Sequence, residues 1–294
     1  VPHDEPVAAD GLPARRNGAW ARDKLSFVDE FFPAALQATQ AKRERWYVDL
    51  FAGPGRNVDD GGGEFDGAAL RALRASAQHD RDTTFTHAVL VNRDVGHHAA
   101  LRARVDGLAS RGELRPARGA VEHAHADANQ AVHRIMAGIH PRAYAFVLAD
   151  IEAPKQLPWS TVAALKSHGH ASVDLFVLFP LEMALNRMLS YRRATVDESA
   201  QVLTRFFGCE DWRPMVDQRV TDAQSPDLRR AVLDLYMRRL GGLGWAHVLV
   251  GRDVRRLGNA GLYKMIYASN HPAGRNLAEW TALRSGRGDQ LRLL

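Results

Sequence analysis

Cysteine occurs once in the 294 residues, at Cys209, which excludes an internal disulfide and any zinc or iron–sulfur site built from several thiolates. No apolar run approaches the roughly 20 residues that a bilayer-spanning helix requires, so no membrane partner is expected. Residues 1–17 carry Pro, Asp and Arg without the apolar stretch of a secretory leader, and a cytoplasmic location is expected. Internal repeats, low-complexity tracts and a clear linker are also missing. One domain over residues 21–294 follows, with residues 1–20 expected to form a poorly ordered polar arm.

What is there is a chain of 46% hydrophobic composition, enough for one large core, with a formal net charge of +5. Arginine falls in pairs such as Arg192-Arg193, Arg229-Arg230, Arg238-Arg239 and Arg255-Arg256. A positive balance of this size permits nucleic acid or an acidic substrate as partner, and fits solvated helix faces equally well.

Leu25, Val28, Phe31, Phe32 and Leu36 stand at helical spacing and predict a helix over residues 24–41. A buried strand over 46–51 and a Gly-rich loop over 59–67 come next. From there helices are predicted over 68–76, 96–109, 128–137 and 160–167, alternating with strands over 86–92, 114–121, 143–150 and 173–179. Strands separated by helices imply crossover units and a mostly parallel sheet. Residues 181–240 read as helical throughout. Two more strands, 245–250 and 262–268, have a connection too short for a helix and should pair antiparallel. The expected class is α/β, with a seven-stranded, mostly parallel sheet and a helical insert before the last two strands.

In such sheets ligands bind beyond the carboxyl ends of the strands, and Asp49-Leu-Phe-Ala-Gly-Pro-Gly55 sits at such an end. Gly53 and Gly55 let the backbone turn sharply and a ligand approach closely. Pro54 removes an amide that a pyrophosphate would use. The pattern Asp-x-Phe-x-Gly-x-Gly therefore suits a nucleoside with a cationic amino-acid tail better than a dinucleotide, with Asp49 facing the ammonium group. Asp49, Phe51, Gly53 and Gly55 are the first candidate cofactor residues; the plain alternative is a tight turn capped by an acid.

Three stretches carry a closer likeness: Tyr47-Val-Asp-Leu-Phe-Ala-Gly-Pro-Gly55, Val173-Asp-Leu-Phe-Val-Leu-Phe-Pro-Leu-Glu-Met-Ala-Leu-Asn-Arg-Met-Leu189 and Tyr263-Lys-Met-Ile-Tyr-Ala-Ser-Asn-His-Pro272. In composition and order they resemble the three-Cys-motif partner (TcmP) proteins, over about residues 20–280. The resemblance implies a Rossmann-like methyltransferase fold, S-adenosyl-L-methionine as cofactor, and a radical-SAM-like protein as partner. It says little about the acceptor substrate.

On that frame the second strand ends at Asn92, where related methyltransferases carry an acid that accepts from the ribose hydroxyls. Asn92 offers one carbonyl acceptor for the same task, and Asp94 is a substitute if the backbone turns it inward. His123-Ala-His125-Ala-Asp127 has the alternation of metal ligands on one strand face. The family's Gly-Asp-x-Asn, however, maps to Ala126-Asp127-Ala-Asn129. That assigns Asp127 to the adenine amino group and Asn129 to the cap of the next helix, and no metal is expected. The family's Asp-Pro-x-Gly stands here as Asp150-Ile151-Glu152-Ala153, so Asp150 or Glu152 is the candidate proton acceptor. Phe179, Pro180, Asn186 and Arg187, after the fifth strand, are the candidate substrate-binding residues for a planar or anionic acceptor.

Two functions remain open on these grounds. One is transfer of the cofactor's methyl group, or another fragment of it, to a small molecule, peptide or nucleic acid. The other is a catalytically silent module of the same fold that grips nucleic acid or a protein partner, a reading favoured by Asn92 and by the altered segment after Asp150.

Overall fold

The computed structural model describes residues 5–18, 20–170, 172–190, 196–221, 227–255, 261–276, 279 and 292–293. In chain order the first half comprises β1 (Arg15–Arg16), α1 (Trp20–Ala38), β2 (Arg45–Asp49), β3 (Arg56–Val58), β4 (Glu64–Asp66), α2 (Ala68–Arg74), β5 (His87–Asn92), α3 (Val95–Ser110), β6 (Val121–His125) and α4 (Ala128–Gly138). The second half comprises β7 (Tyr144–Ala149), α5 (Trp159–Ala164), β8 (Ser172–Phe179), α6 (Asn186–Met188), α7 (Asp197–Phe207), α8 (Trp212–Thr221), α9 (Leu228–Gly242), β9 (His247–Arg255), β10 (Gly261–Ser269) and β11 (Arg292–Leu293).

The main sheet runs β11-β9-β10-β8-β7-β2-β5-β6. β6, β5, β2, β7 and β8 are parallel neighbours, and β10 is antiparallel to both β8 and β9, so β9 runs with the first five. Apart from the two-residue edge strand β11, this is the predicted seven-stranded, mostly parallel sheet with a closing antiparallel pair. The expected connection, 251–261, is shorter than that: β9 runs on to Arg255 and β10 begins at Gly261, and residues 256–260 lie outside the described residues.

Both faces of the sheet are buried, and the period of two sorts each strand between them. Ala145, Val147 and Ala149 of β7, with Val173, Leu175, Val177 and Phe179 of β8, face one core with α4, α5 and the insert helices α7–α9. Tyr144, Phe146 and Leu148, with Phe176 and Leu178, face the other core with α1, α2 and α3. The order places the chain's reversal between β2 and β7, so the crevice opens above those two strand tips, in a Rossmann-like α/β arrangement. At the opposite end of the sheet, buried Asp174 of β8 accepts hydrogen bonds from Tyr144 Oη of β7 at 3.0 Å and Tyr267 Oη of β10 at 2.6 Å.

Two expectations are corrected. The strand expected over 114–121 begins only at Val121, opposite Ala88. Leu114 packs on the core outside the sheet, and residues 118–120 form a single tight turn. The arm expected to be poorly ordered is docked over residues 5–18. β1 pairs in parallel with β3, whose hairpin with β4 occupies the predicted Gly-rich loop, and Ala8 and Ala14 are buried beneath. The reason is Arg104 of α3, whose side chain is only 4% exposed. Its Nε and Nη2 donate to the Asp10 carboxylate at 2.8 Å each. Nη1 donates to Pro13 O at 2.8 Å and Pro54 O at 2.6 Å, and Nη2 to Leu12 O at 3.3 Å.

Removing this guanidinium takes a donor from the buried Pro54 carbonyl and the bidentate partner from Asp10. Arg104→Ala is expected to lower stability by about 2–4 kcal/mol in urea unfolding and to open the arm to limited proteolysis. The Arg104 hydrogen bond holds the Asp10 carboxyl below its ordinary value of 3.8. The contribution is therefore fully present above about pH 3.8 and lost as pH falls through the lowered value, a dependence the variant should show more weakly, since the Leu12 amide and the Arg56 charge also lower Asp10.

Candidate functional site

β2 ends at Asp49, 2% exposed. Its Oδ2 accepts from Tyr47 Oη at 2.8 Å and its Oδ1 from the Phe51 amide at 3.1 Å. Burial, reinforced by the Asp49 charge, pushes the Tyr47 phenol well up, so it stays a donor.

The chain then turns through Gly53 and Gly55, at φ +62° and +85°. A Cβ on Gly55 would lie 2.7 Å from Leu101 Cδ1 of α3, and one on Gly53 would lie 3.5 Å from the guanidinium carbon of Arg15. Buried Asn92, at the tip of β5, donates from Nδ2 to Gly53 O at 2.8 Å and braces the loop from the neighbouring strand. Its amide oxygen remains as the acceptor expected of that position.

Above the strand tips lies a cavity of about 390 Å³, bordered by Arg15, Phe51, Asn92, Asp94, Asp127 and Asp150. Beneath the glycine loop a second void of about 30 Å³ is bordered by Arg15, Asp49, Phe51, Gly53, Gly55 and Asp150. The structure thus brings Asp49, Phe51, Gly53, Gly55, Asn92, Asp94, Asp127, Asp150 and Glu152 together around two adjoining spaces.

Asp94 and Asp127 reach the cavity while capping helices. Asp94 accepts from the His97 amide at the start of α3, which lowers its pKa, and Asp127 accepts from the Asn129 amide at the start of α4, both at 2.8 Å. Asn129 is therefore not the cap that the sequence suggested. It bridges instead to the segment after β7, donating to Gln156 O at 3.2 Å and accepting from Thr161 Oγ1 at 2.7 Å. His123 and His125 lie on β6, half-buried and exposed respectively, while Asp127 turns to its helix. Among the described residues no group of three or more His, Cys, Asp or Glu side chains is placed to hold a metal ion.

Asp150 follows β7 and borders both spaces; Glu152 is exposed, with Oε1 3.8 Å from Arg15 Nη1. β10 runs against the other strands, so its first residues reach the same tips. Burial raises the Tyr263 phenol there, and Asp150 and Glu152 raise it further. Spacing gave no hint of Arg15 or Tyr263, although Tyr263 heads one of the blocks that carry the resemblance.

The four candidate substrate residues lie outside the two spaces. Phe179 is fully buried against Phe206 and Tyr236, with ring centroids 5.6 and 5.0 Å away, because its register puts it with Leu175 and Val177 on the insert-facing side. Buried Pro180 opens the π-helical turn Leu181–Leu185, and Asn186 and Arg187 follow in the short helix α6. None of the four borders either space.

No family model matches the chain, and no curated protein matches it. Among solved structures, protein LPL1258 from Legionella pneumophila str. Philadelphia 1, described by the family model DUF519, aligns over 93% of this chain and 96% of its own. The identity is 10% and the TM-score 0.52. That likeness shows the fold alone. An rRNA methylase from Streptococcus thermophilus aligns over 84% of this chain and 93% of its own, at 8% identity and TM-score 0.38. The plantazolicin methyltransferase BamL, in complex with a triazolic desmethylPZN analog and SAH, aligns over 85% of this chain and 87% of its own, at 11% identity and TM-score 0.38. Scores this low carry no argument about the site.

The two loop glycines should respond differently to alanine. Left-handed backbone costs a non-glycine residue about 1–2 kcal/mol at either position. Only at Gly55 does the new methyl group also enter a buried side chain. Gly55→Ala is expected to lose about 1 kcal/mol more than Gly53→Ala in denaturant unfolding.

Proposed function

We propose that the chain is an S-adenosylmethionine-dependent methyltransferase. The observation that carries this reading is a buried aspartate at the switch-point strand, followed by two left-handed glycines whose loop borders both the 30 Å³ void and the 390 Å³ cavity. The fit to the cofactor is by chemistry and by space. Asp49 brings a carboxylate charge to the border of the small void, where an ammonium group would sit, and Gly53 has no side chain to fill the approach. The Asn92 oxygen and the Asp94 carboxylate are acceptors for ribose hydroxyls, and Asp127 is an acceptor for an exocyclic adenine amine. The larger cavity is of the size that cofactor sites take.

The cofactor supplies an electrophilic methyl group on a sulfonium. The chain's part is to hold that group in line with an acceptor nucleophile, keep the cleft dry and take up any proton released. Asp150, between the two spaces, is the better placed proton acceptor; Glu152 is more exposed and stands nearer Arg15. The acceptor is a small molecule, a peptide or a nucleic acid, and the TcmP-like blocks add a radical-SAM-like protein as proposed partner.

A second reading has its own support. The Asn92 amide is engaged in bracing the loop, a structural task that a silent module needs as much as an enzyme does.

Calorimetric titration with S-adenosylmethionine and S-adenosylhomocysteine tests the first reading. Micromolar binding is expected, weakened about 10- to 100-fold in Asp49→Ala, the range for losing a hydrogen bond to a charged group. No heat from either compound, together with salt-sensitive nucleic-acid binding that the compounds leave unchanged, selects the silent module.

A further inference from the structure

Arg15 is held in place by other parts of the molecule. Its backbone pairs with Asn57 of β3, and the preceding turn hangs from Arg104 through Asp10, Leu12 and Pro13. Its side chain, 28% exposed, borders both spaces of the cleft and lies over Gly53. Neighbouring arginines are engaged: Arg56 with Glu64 and Asp66, Arg22 with Asp59, Arg104 with Asp10. The Arg15 guanidinium makes no hydrogen bond among the described residues. Its nearest acid, Glu152, is 3.8 Å away and 61% exposed, a long surface pair of small worth.

A guanidinium fork carried on a docked backbone beside a small void recognises a planar anion best. The void is too small for a phosphate chain, and Asp49 and Asp150 border it too, so a multiply charged anion would be repelled. A zwitterion meets both demands, with its cation towards the acids and its carboxylate towards the arginine. We propose that Arg15 binds the α-carboxylate of the cofactor's amino-acid tail, which makes the docked arm a wall of the cofactor site. This inference rests on the methyltransferase reading above, since it needs a ligand that carries such a tail.

Titration with S-adenosylmethionine and with decarboxylated S-adenosylmethionine, which keeps the ammonium group and lacks the carboxylate, tests it. The wild-type protein should prefer the complete compound about tenfold or more. Arg15→Gln should bind both compounds alike and hold the decarboxylated one as well as the wild type does. Arg15→Lys, with charge but no fork, should keep part of the preference. A wild type that binds both compounds equally overturns the inference while leaving the cofactor reading intact. So does an Arg15→Gln protein that retains the preference or weakens both compounds by the same factor. A wild type that binds neither compound overturns both.

Discussion

The mouth of the cleft depends on where one guanidinium points. Arg104 rises from a helix anchored to the sheet by Leu101, Val105 and Leu108, and its planar fork reaches the arm and the glycine loop together. A lysine ammonium has no geometry that meets a carboxylate with two parallel bonds and still reaches carbonyls on both sides. Burial makes the arrangement strict, because a charge taken from water must find its partners within the protein. Leu101 on the same helix fills the place that a side chain at residue 55 would need. One helix thus sets the loop from below and the arm from the side.

Much of the architecture was legible because both faces of the sheet are buried. Apolar runs such as Tyr144–Ala149 declare themselves as strands, and their spacing by helices fixes the crossovers. The small sheet of β1, β3 and β4 left no such trace. Its strands are two and three residues long and are stabilised by pairing and by Arg104, and a window of hydrophobic pattern does not register that. The start of β6 was misread for a related reason: Leu114 is apolar because it packs on the core, outside the ladder.

The site divides in the same way. The Asp49 loop was readable because its chemistry is contiguous, an acid and two glycines within seven residues. Asp127 was found through the resemblance, and its service as a helix cap is a local property of the same turn. Phe179 was expected over the cleft because it ends its strand, but the period of two places its ring with Leu175 and Val177 in the insert-facing core. Arg15 and Tyr263 are far from the loop in sequence, and only folding brings them to the strand tips.

The Asp174 network at the base of the sheet has a consequence at the far end. Sliding β10 by one residue would turn Tyr267 to the opposite face and leave the buried carboxylate short of a donor, so the network acts as an index pin for that strand. Tyr263 lies four residues earlier on the same face, and its arrival beside Asp150 is settled by the pin. The chemistry offered at the strand tips is thereby calibrated from the opposite end of the sheet.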